Sequence, residues 1–306
     1  MKTHLLFLLT LSMTAFSGFG AEKTGQTFAT PEAAVEALDA AITAKDVDAF
    51  RVIFGPAAEE LQNPDRIQAT NELCAFSAAL KQSKRIVKES DTRCVLEVGT
   101  EAFPFPVPLV QKDNAWFFDT EAGKDEMLSR RIGRNELFTL SAVRAYVAAQ
   151  RDYAAKDRDN DEVLEYAQKF ISAPGTKDGL YWSPELDGEL SPLGPLVAQA
   201  QSEGYAARSK NKGEAPTPFH GYLFKIIVQQ AKTAPGGKYD YIINDNMIGG
   251  FALVAWPASY GDSGIMTFIV NQQGRVFQKD LGEETAKAVS KMKAYDPDKT
   301  WKLSLD

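Results

Sequence analysis

The amino-acid sequence predicts an α+β chain of two domains, in which helices pack on a curled antiparallel sheet and a long helix then packs on an antiparallel meander. Two observations carry this. Apolar residues recur at helical spacing and then switch to period two, first after Lys81 and again after Pro218. The chain also has 306 residues, near the size at which one core gives way to two. With 44% apolar and 25% charged residues, the composition is that of a folded protein and excludes disordered, collagenous and coiled-coil classes. The expected divisions are a signal peptide over 1–20, a first domain over 21–130 and a second over 131–306.

Leu5 to Leu11 form an apolar run after Lys2 that is too short to span a bilayer, and Gly18 and Gly20 put small residues at −3 and −1 of a cut before Ala21. A mature chain beginning at Ala21, soluble and periplasmic or secreted, is expected. Thr30-Pro31-Glu32 supplies a cap and a first-turn proline for a helix to about Ala44, whose apolar positions are Ala34, Val35, Leu38, Ala41 and Ile42. A short helix carrying Phe50, Ile53 and Phe54 stops at Gly55-Pro56, and a third lies around Asn71 to Lys81. Alternation then predicts strands over 85–88, 94–99, 106–111 and 115–119, with a turn at Lys112-Asp113-Asn114. Lys124 to Arg134 read as a charged connection, after which Asn135-Glu136 open a helix whose face is traced by Leu137, Leu140, Val143, Tyr146, Val147 and Tyr153. Residues 173–218 are rich in Pro and Gly. The meander follows over 221–229, 239–243, 250–256, 266–271 and 276–279, closed by a helix near Glu283 to Met292.

Loss of the leader leaves 33 basic and 41 acidic side chains, a net charge of −8. No basic footprint for nucleic acid or anionic lipid is present, and no later apolar run is long enough to span a membrane. His220 is the one histidine outside the leader, which excludes multi-histidine zinc sites within a chain and makes it the only ordinary near-neutral proton shuttle. The alternative for His220, between Phe219 and Gly221-Tyr222, is a packed ring bonded locally. Cys74 and Cys94 meet an oxidising compartment on export and are candidates for a disulfide, the alternative being two buried thiols that never meet.

Three long strings carry a resemblance across the whole mature chain: Phe103 to Val110 (FPFPVPLV), Arg130 to Leu137 (RRIGRNEL) and Gly249 to Pro257 (GGFALVAWP). They resemble domain-of-unknown-function family 2950, an exported Gram-negative family, and that resemblance implies compartment but no reaction. The opening helices and strands also resemble nuclear transport factor 2-like cones, which hold a pocket. The long helix with Ala149-Gln150-Arg151-Asp152-Tyr153, followed by a meander with Thr267-Phe268-Ile269-Val270, resembles the heads of type IV pilins and pseudopilins. The apolar half-helix that assembles pilin fibres is missing, so filaments are not implied.

Asp157, Asp159, Asp161 and Glu165 occupy first, third, fifth and ninth positions of a calcium-loop pattern, with calcium as the implied cofactor. Glu162 stands where such loops have Gly, and Gln168 where they have a bidentate carboxylate, so a solvated acidic loop is the alternative. Tyr181, Trp182, Trp256 and Tyr260 are candidates for stacking on a sugar or peptide, the alternative being core packing. Lys124, Arg130, Arg131 and Arg134 form a basic group that either receives an acidic partner or pairs with local carboxylates such as Asp125, Glu126 and Glu136. These readings favour an exported envelope binding or assembly module without catalytic activity, with an envelope protein or cell-wall component as partner. The alternatives are a periplasmic hydrolase using paired carboxylates and a calcium-stabilised scaffold.

Overall fold

A computed structural model describes residues 24–158, 161–206 and 217–304, so the expected leader lies outside the described residues. Helix α1 (Pro31–Ala44) begins where Thr30 Oγ1 accepts a hydrogen bond from Ala33 N at 3.2 Å, and ends at Lys45 in the left-handed region. Helix α2 (Val47–Phe54) is capped by Asp46 and stops at Gly55. Gly55 has φ of 71°, and a Cβ on the facing Gly25 would lie 2.0 Å from Ile53 O, so the extended N-terminal segment crosses α2 only because both positions lack side chains. A 3₁₀ turn (Pro56–Leu61) leads to α3 (Arg66–Gln82), which starts five residues before the expected Asn71, because α3 buries few apolar residues there.

The first sheet has the order β1 (Lys84–Ser90), β2 (Arg93–Val98), β4 (Leu109–Lys112), β5 (Ala115–Phe118), with β3 (Phe103–Pro104) added to β2 and every pair antiparallel. Asp113 and Asn114 have φ of 51° and 62°, which is what the tight turn between β4 and β5 requires. Cys94, Leu96 and Val98 on β2 face α1 residues Ala34, Leu38 and Ile42 in one hydrophobic cluster.

Helix α4 (Thr120–Tyr153) is unbroken for 34 residues, about 51 Å at 1.5 Å per residue. The expected connection over Lys124 to Arg134 is therefore helix, and the boundary expected at 130/131 falls inside it. Asn135 and Glu136 do not cap a helix start: the cap is Asp119, which accepts from Ala122 N. The early turns of α4 pack on the first sheet, with Gly123 against Val107, where a Cβ would meet Val107 Cα at 2.6 Å. Its later turns bury Leu140, Val143, Tyr146, Val147 and Tyr153 in the second hydrophobic cluster.

After α4 the chain runs irregularly to α5 (Gly194–Ser202), a helix within the Pro- and Gly-rich stretch. Gln150 holds that irregular segment, accepting from Ala167 N and donating to Ala167 O, both at 2.8 Å. The meander follows as β6 (Tyr222–Ile227), β7 (Gln229–Gln230), β8 (Tyr239–Asp240), β9 (Ile242–Ile243), β10 (Asn246–Met247), β11 (Ala252–Pro257), β12 (Met266–Asn271) and β13 (Phe277–Asp280). Helix α6 (Thr285–Lys291) and β14 (Lys302–Leu303) complete it. The main sheet has the antiparallel order β14-β13-β12-β11-β6. The segment 239–243 does not join it. Asn244 and Asp245, at φ of 49° and 69°, fold it back into the small β9–β10 ladder, and β7 pairs β8 alone. Consecutive residues of β11 are buried, since α4 covers one face of the sheet and α6 the other, where Lys225 Nζ donates to Met292 O at 2.7 Å.

Candidate functional site

A cavity of about 720 Å³ lies on the N-terminal hydrophobic cluster, between α2, α3, the 3₁₀ turn and the start of α4. Its walls are phenylalanine rings that pack on one another. Phe50 stacks on Phe54 at 6.3 Å between centroids, Phe54 lies 6.2 Å from Phe105, and Phe105 lies 5.0 Å from Phe76. Local sequence explains the placement: Phe50 and Phe54 are one turn apart on α2, and Leu73 and Phe76 share a face of α3. Phe105 enters from the FPFP string, where alternate prolines hold the backbone extended. Phe50, Phe76 and Phe105 are only half-buried, because the surface they share faces the cavity instead of another layer. Exposed Phe103 and Val47 extend the apolar lining to the mouth.

The rim is cationic. Lys45, Arg51, Arg66, Arg130, Arg131 and Arg134 line the cavity against the single carboxylate Glu72, on a chain whose net charge is −7. Arg131 is buried and structural: its guanidinium pairs with Asp262 and donates to Leu61 O at 2.6 Å, tying α4 to both the 3₁₀ turn and the loop after β11. Arg130 donates to Glu126 at 2.6 Å and to Pro104 O at 2.9 Å, with its guanidinium 4.8 Å from the Phe103 ring centroid. Arg134 pairs with Glu72 at 2.8 Å, and Lys124 pairs with Glu60. Of the local carboxylates named for this basic group, Glu126 is used by Arg130. Glu136 instead accepts from Ile265 N and Met266 N, both at 2.9 Å.

His220 lies outside the cavity, in a polar junction between the two hydrophobic clusters. Its Nε2 is 2.6 Å from Glu203 Oε2, and Phe138 packs on its ring with centroids 3.7 Å apart. Next to it, Tyr205 OH donates to Asp65 Oδ2 at 2.6 Å, and Gly221 N donates to the same oxygen at 3.3 Å. The other oxygen of Asp65 caps α3 by accepting from Ile67 N and Gln68 N. Gln68 Nε2 donates to Asn135 Oδ1 at 2.8 Å, and Asn135 Nδ2 to Ser263 O at 2.9 Å. Burial and the Asp65 carboxylate push the Tyr205 hydroxyl far above the ordinary tyrosine range, so it serves as a fixed donor. The polar atoms named here hold α3, α4, the end of α5 and the entry to β6 together.

The aromatic candidates do not form one groove. Trp182 is buried near the end of α4, its Nε1 donating to Glu189 O at 3.1 Å, with Arg158 and Lys177 5.0 and 5.5 Å from its ring centroid. Tyr181 pairs through its backbone with Phe170 and Ser172. Trp256 packs on the second cluster, and Tyr260 is held by Asp280, which pushes its hydroxyl upward. Tyr260 lies in the loop whose Ser263 O accepts from Asn135 of α4, whereas Trp182 shares Arg158 with Tyr153, about 27 Å further along that helix.

The acidic loop holds itself by local hydrogen bonds. Asp157 accepts from Glu162 N, Asp161 from Val163 N and from Asn246 Nδ2, and Glu165 from Met247 N. Asp159 lies outside the described residues, and among those described no group of three His, Cys, Asp or Glu gathers in metal-binding geometry. The expected disulfide is not formed. Cys74 is exposed on α3, whereas alternation on β2 turns Cys94 into the core, where burial raises its thiol pKa.

The chain belongs to the family of proteins of unknown function DUF2950. That family's model matches residues 25–303, a span that takes in both hydrophobic clusters. No curated protein and no solved structure matches the chain, and the pilin-head and nuclear transport factor 2-like resemblances gain no support from either comparison. The cavity residues Phe50, Phe54, Phe76 and Arg66 carry no motif. The sequence signal for them was the FPFP string, which reads equally as a family mark and as a cavity wall.

Proposed function

We propose that the mature protein is an exported, non-catalytic binding module of the cell envelope, and that its binding site is the phenylalanine-walled cavity beside α3. The observation that carries this is the cavity itself: about 720 Å³, within the range of small-ligand sites, with a wall of phenylalanine rings and a lining rich in cations. The expected leader supports export, and no helix among the described residues is long and apolar enough to cross a membrane. A carboxylate hydrolase needs an acid and a base facing one bond, whereas Glu72 is the single carboxylate of the lining. The division into domains 21–130 and 131–306 belongs to the same reading, with the polar junction around Asp65, Gln68 and Asn135 as their interface.

The test is fluorescence titration of the mature chain with N-phenyl-1-naphthylamine, a neutral apolar probe, alongside the variant Ala69→Phe, which places a ring in the cavity from α3. Saturable enhancement that the variant abolishes supports the reading. Absence of binding, or equal binding by the variant, overturns it. Crosslinking in living cells, with identification of retained components by mass spectrometry, tests the envelope partner, and retention of nothing above background removes that part.

A further inference from the structure

Resting on the cavity as a binding site, we infer that its ligand is a single-chain amphiphile with an anionic head, an acyl carboxylate. Its hydrocarbon chain lies along Phe54, Phe76 and Phe105, and its head meets Arg66 and Lys45 at the rim. The wall selects the chain. A peptide or sugar buried there would leave N–H, C=O or O–H groups without partners, a cost that hydrocarbon avoids. Two of the neutral polar side chains of the lining are already engaged: Asn63 Nδ2 donates to Gln68 Oε1 at 2.9 Å, and Thr70 Oγ1 donates to Arg66 O at 2.9 Å.

The rim selects the head. Arg51, Arg130, Arg131 and Arg134 are matched by Asp48, Glu126, Asp262 and Glu72. Arg66 and Lys45 line the same cavity and have no ion-pair partner among the described residues, so the charge left over at the mouth is positive. Arg66 is the first residue of α3, directly after Asp65, whose carboxylate is fixed by four donors, so the base of its side chain stands on a rigid element. A guanidinium offers paired donors to a carboxylate, and an anion at this depth keeps contact with water while its chain does not.

The experiment displaces bound N-phenyl-1-naphthylamine from the mature chain with dodecanoate, dodecanol and dodecyltrimethylammonium, below the concentrations at which they self-associate. Dodecanoate is expected to displace the probe at about tenfold lower concentration than dodecanol, with the ammonium weakest, and added salt should narrow the gap. The double variant Arg66→Gln, Lys45→Gln should bring carboxylate and alcohol within about twofold, and Arg66→Lys with Lys45 intact should restore part of the preference. Both residues are exposed, so folding is not at stake. Equal displacement by carboxylate and alcohol on the unaltered chain overturns the anionic head while the cavity reading stands. A preference that survives the double variant overturns Arg66 and Lys45 as its source. If the probe itself does not bind, the underlying reading fails together with this one.

Discussion

The two hydrophobic clusters of this chain differ in how many layers cover their sheets. Around β11 and β12 the sheet is sandwiched between α4 and α6, and Tyr222, Tyr241, Phe251 and Phe268 are almost wholly buried. Around β2 only one face is closed, so buried and half-buried residues alternate along the strand, and on that closed side the rings of α2, α3 and the FPFP string stop at a cavity that no further element fills. Similar aromatic residues thus build a closed core in one place and a binding surface in the other. The difference teaches that a gap left between packed elements, and not a special motif, creates the candidate site.

Removing a ring from each cluster breaks or upholds that contrast most directly. Phe251, packed edge-on against Tyr146 at 5.6 Å and Tyr166 at 4.8 Å, should cost about 4 kcal/mol as Phe251→Ala. Phe76→Ala should cost only about 1 kcal/mol, because the cavity already adjoins the ring and water can fill what is left. Urea denaturation of both variants checks this, and equal costs would mean that the N-terminal rings are as closed as the others. Next in size is the junction that joins the clusters. Asp65→Ala strands four donors at once and should cost about 3 kcal/mol. Chemical denaturation read by fluorescence should then show the two clusters unfolding in separate steps.

Periodicity made the closed region the more legible one. Strands 250–256 and 266–271 appear almost as β11 and β12, since continuous apolar runs bounded by turns leave few alternatives. Helix α1 was equally plain from Thr30, Pro31 and its apolar face. The continuity of α4 was hidden because Lys124 to Arg134 look solvated, yet Arg131 is buried by pairing with Asp262, 131 residues away in sequence. Local patterning holds no trace of such a partner. The disulfide expectation failed for a related reason: compartment favours pairing, but helix and strand phase decide which way each thiol points. The cavity was least legible, because a wall left uncovered has the same residues as a wall that is packed.

Smaller effects sharpen the comparison at its margins. Beside the closed cluster, Lys177, Lys156 and Arg158 hydrogen-bond to the Glu189 carboxyl and hold it down to about 2, from an ordinary 4.5. A depressed carboxylate stabilises the fold above its ordinary value, and that contribution disappears as pH falls from about 4.5 through 2. Glu189→Gln should therefore lose about 1 kcal/mol at neutral pH, after allowance for solvent screening. It should also make the loss of melting temperature on acidification shallower over that window. An unchanged acid limb would mean that the ion cluster around Trp182 contributes nothing to the closed region.

The smallest change in stability is expected where space is already present. Ala69→Phe adds a ring to α3 on the side that faces the cavity, so it displaces solvent instead of neighbours and should alter stability by less than about 1 kcal/mol in either direction. In a closed core the same enlargement would force side chains off their rotamers and destabilise by about 1–3 kcal/mol. Ala255→Phe, at a fully buried position on β11, is the matched control. Thermal melts of the two variants then measure directly how much room each cluster has. A large loss for Ala69→Phe would show the cavity wall to be rigid and already filled in solution, and would remove the physical basis for a ligand there.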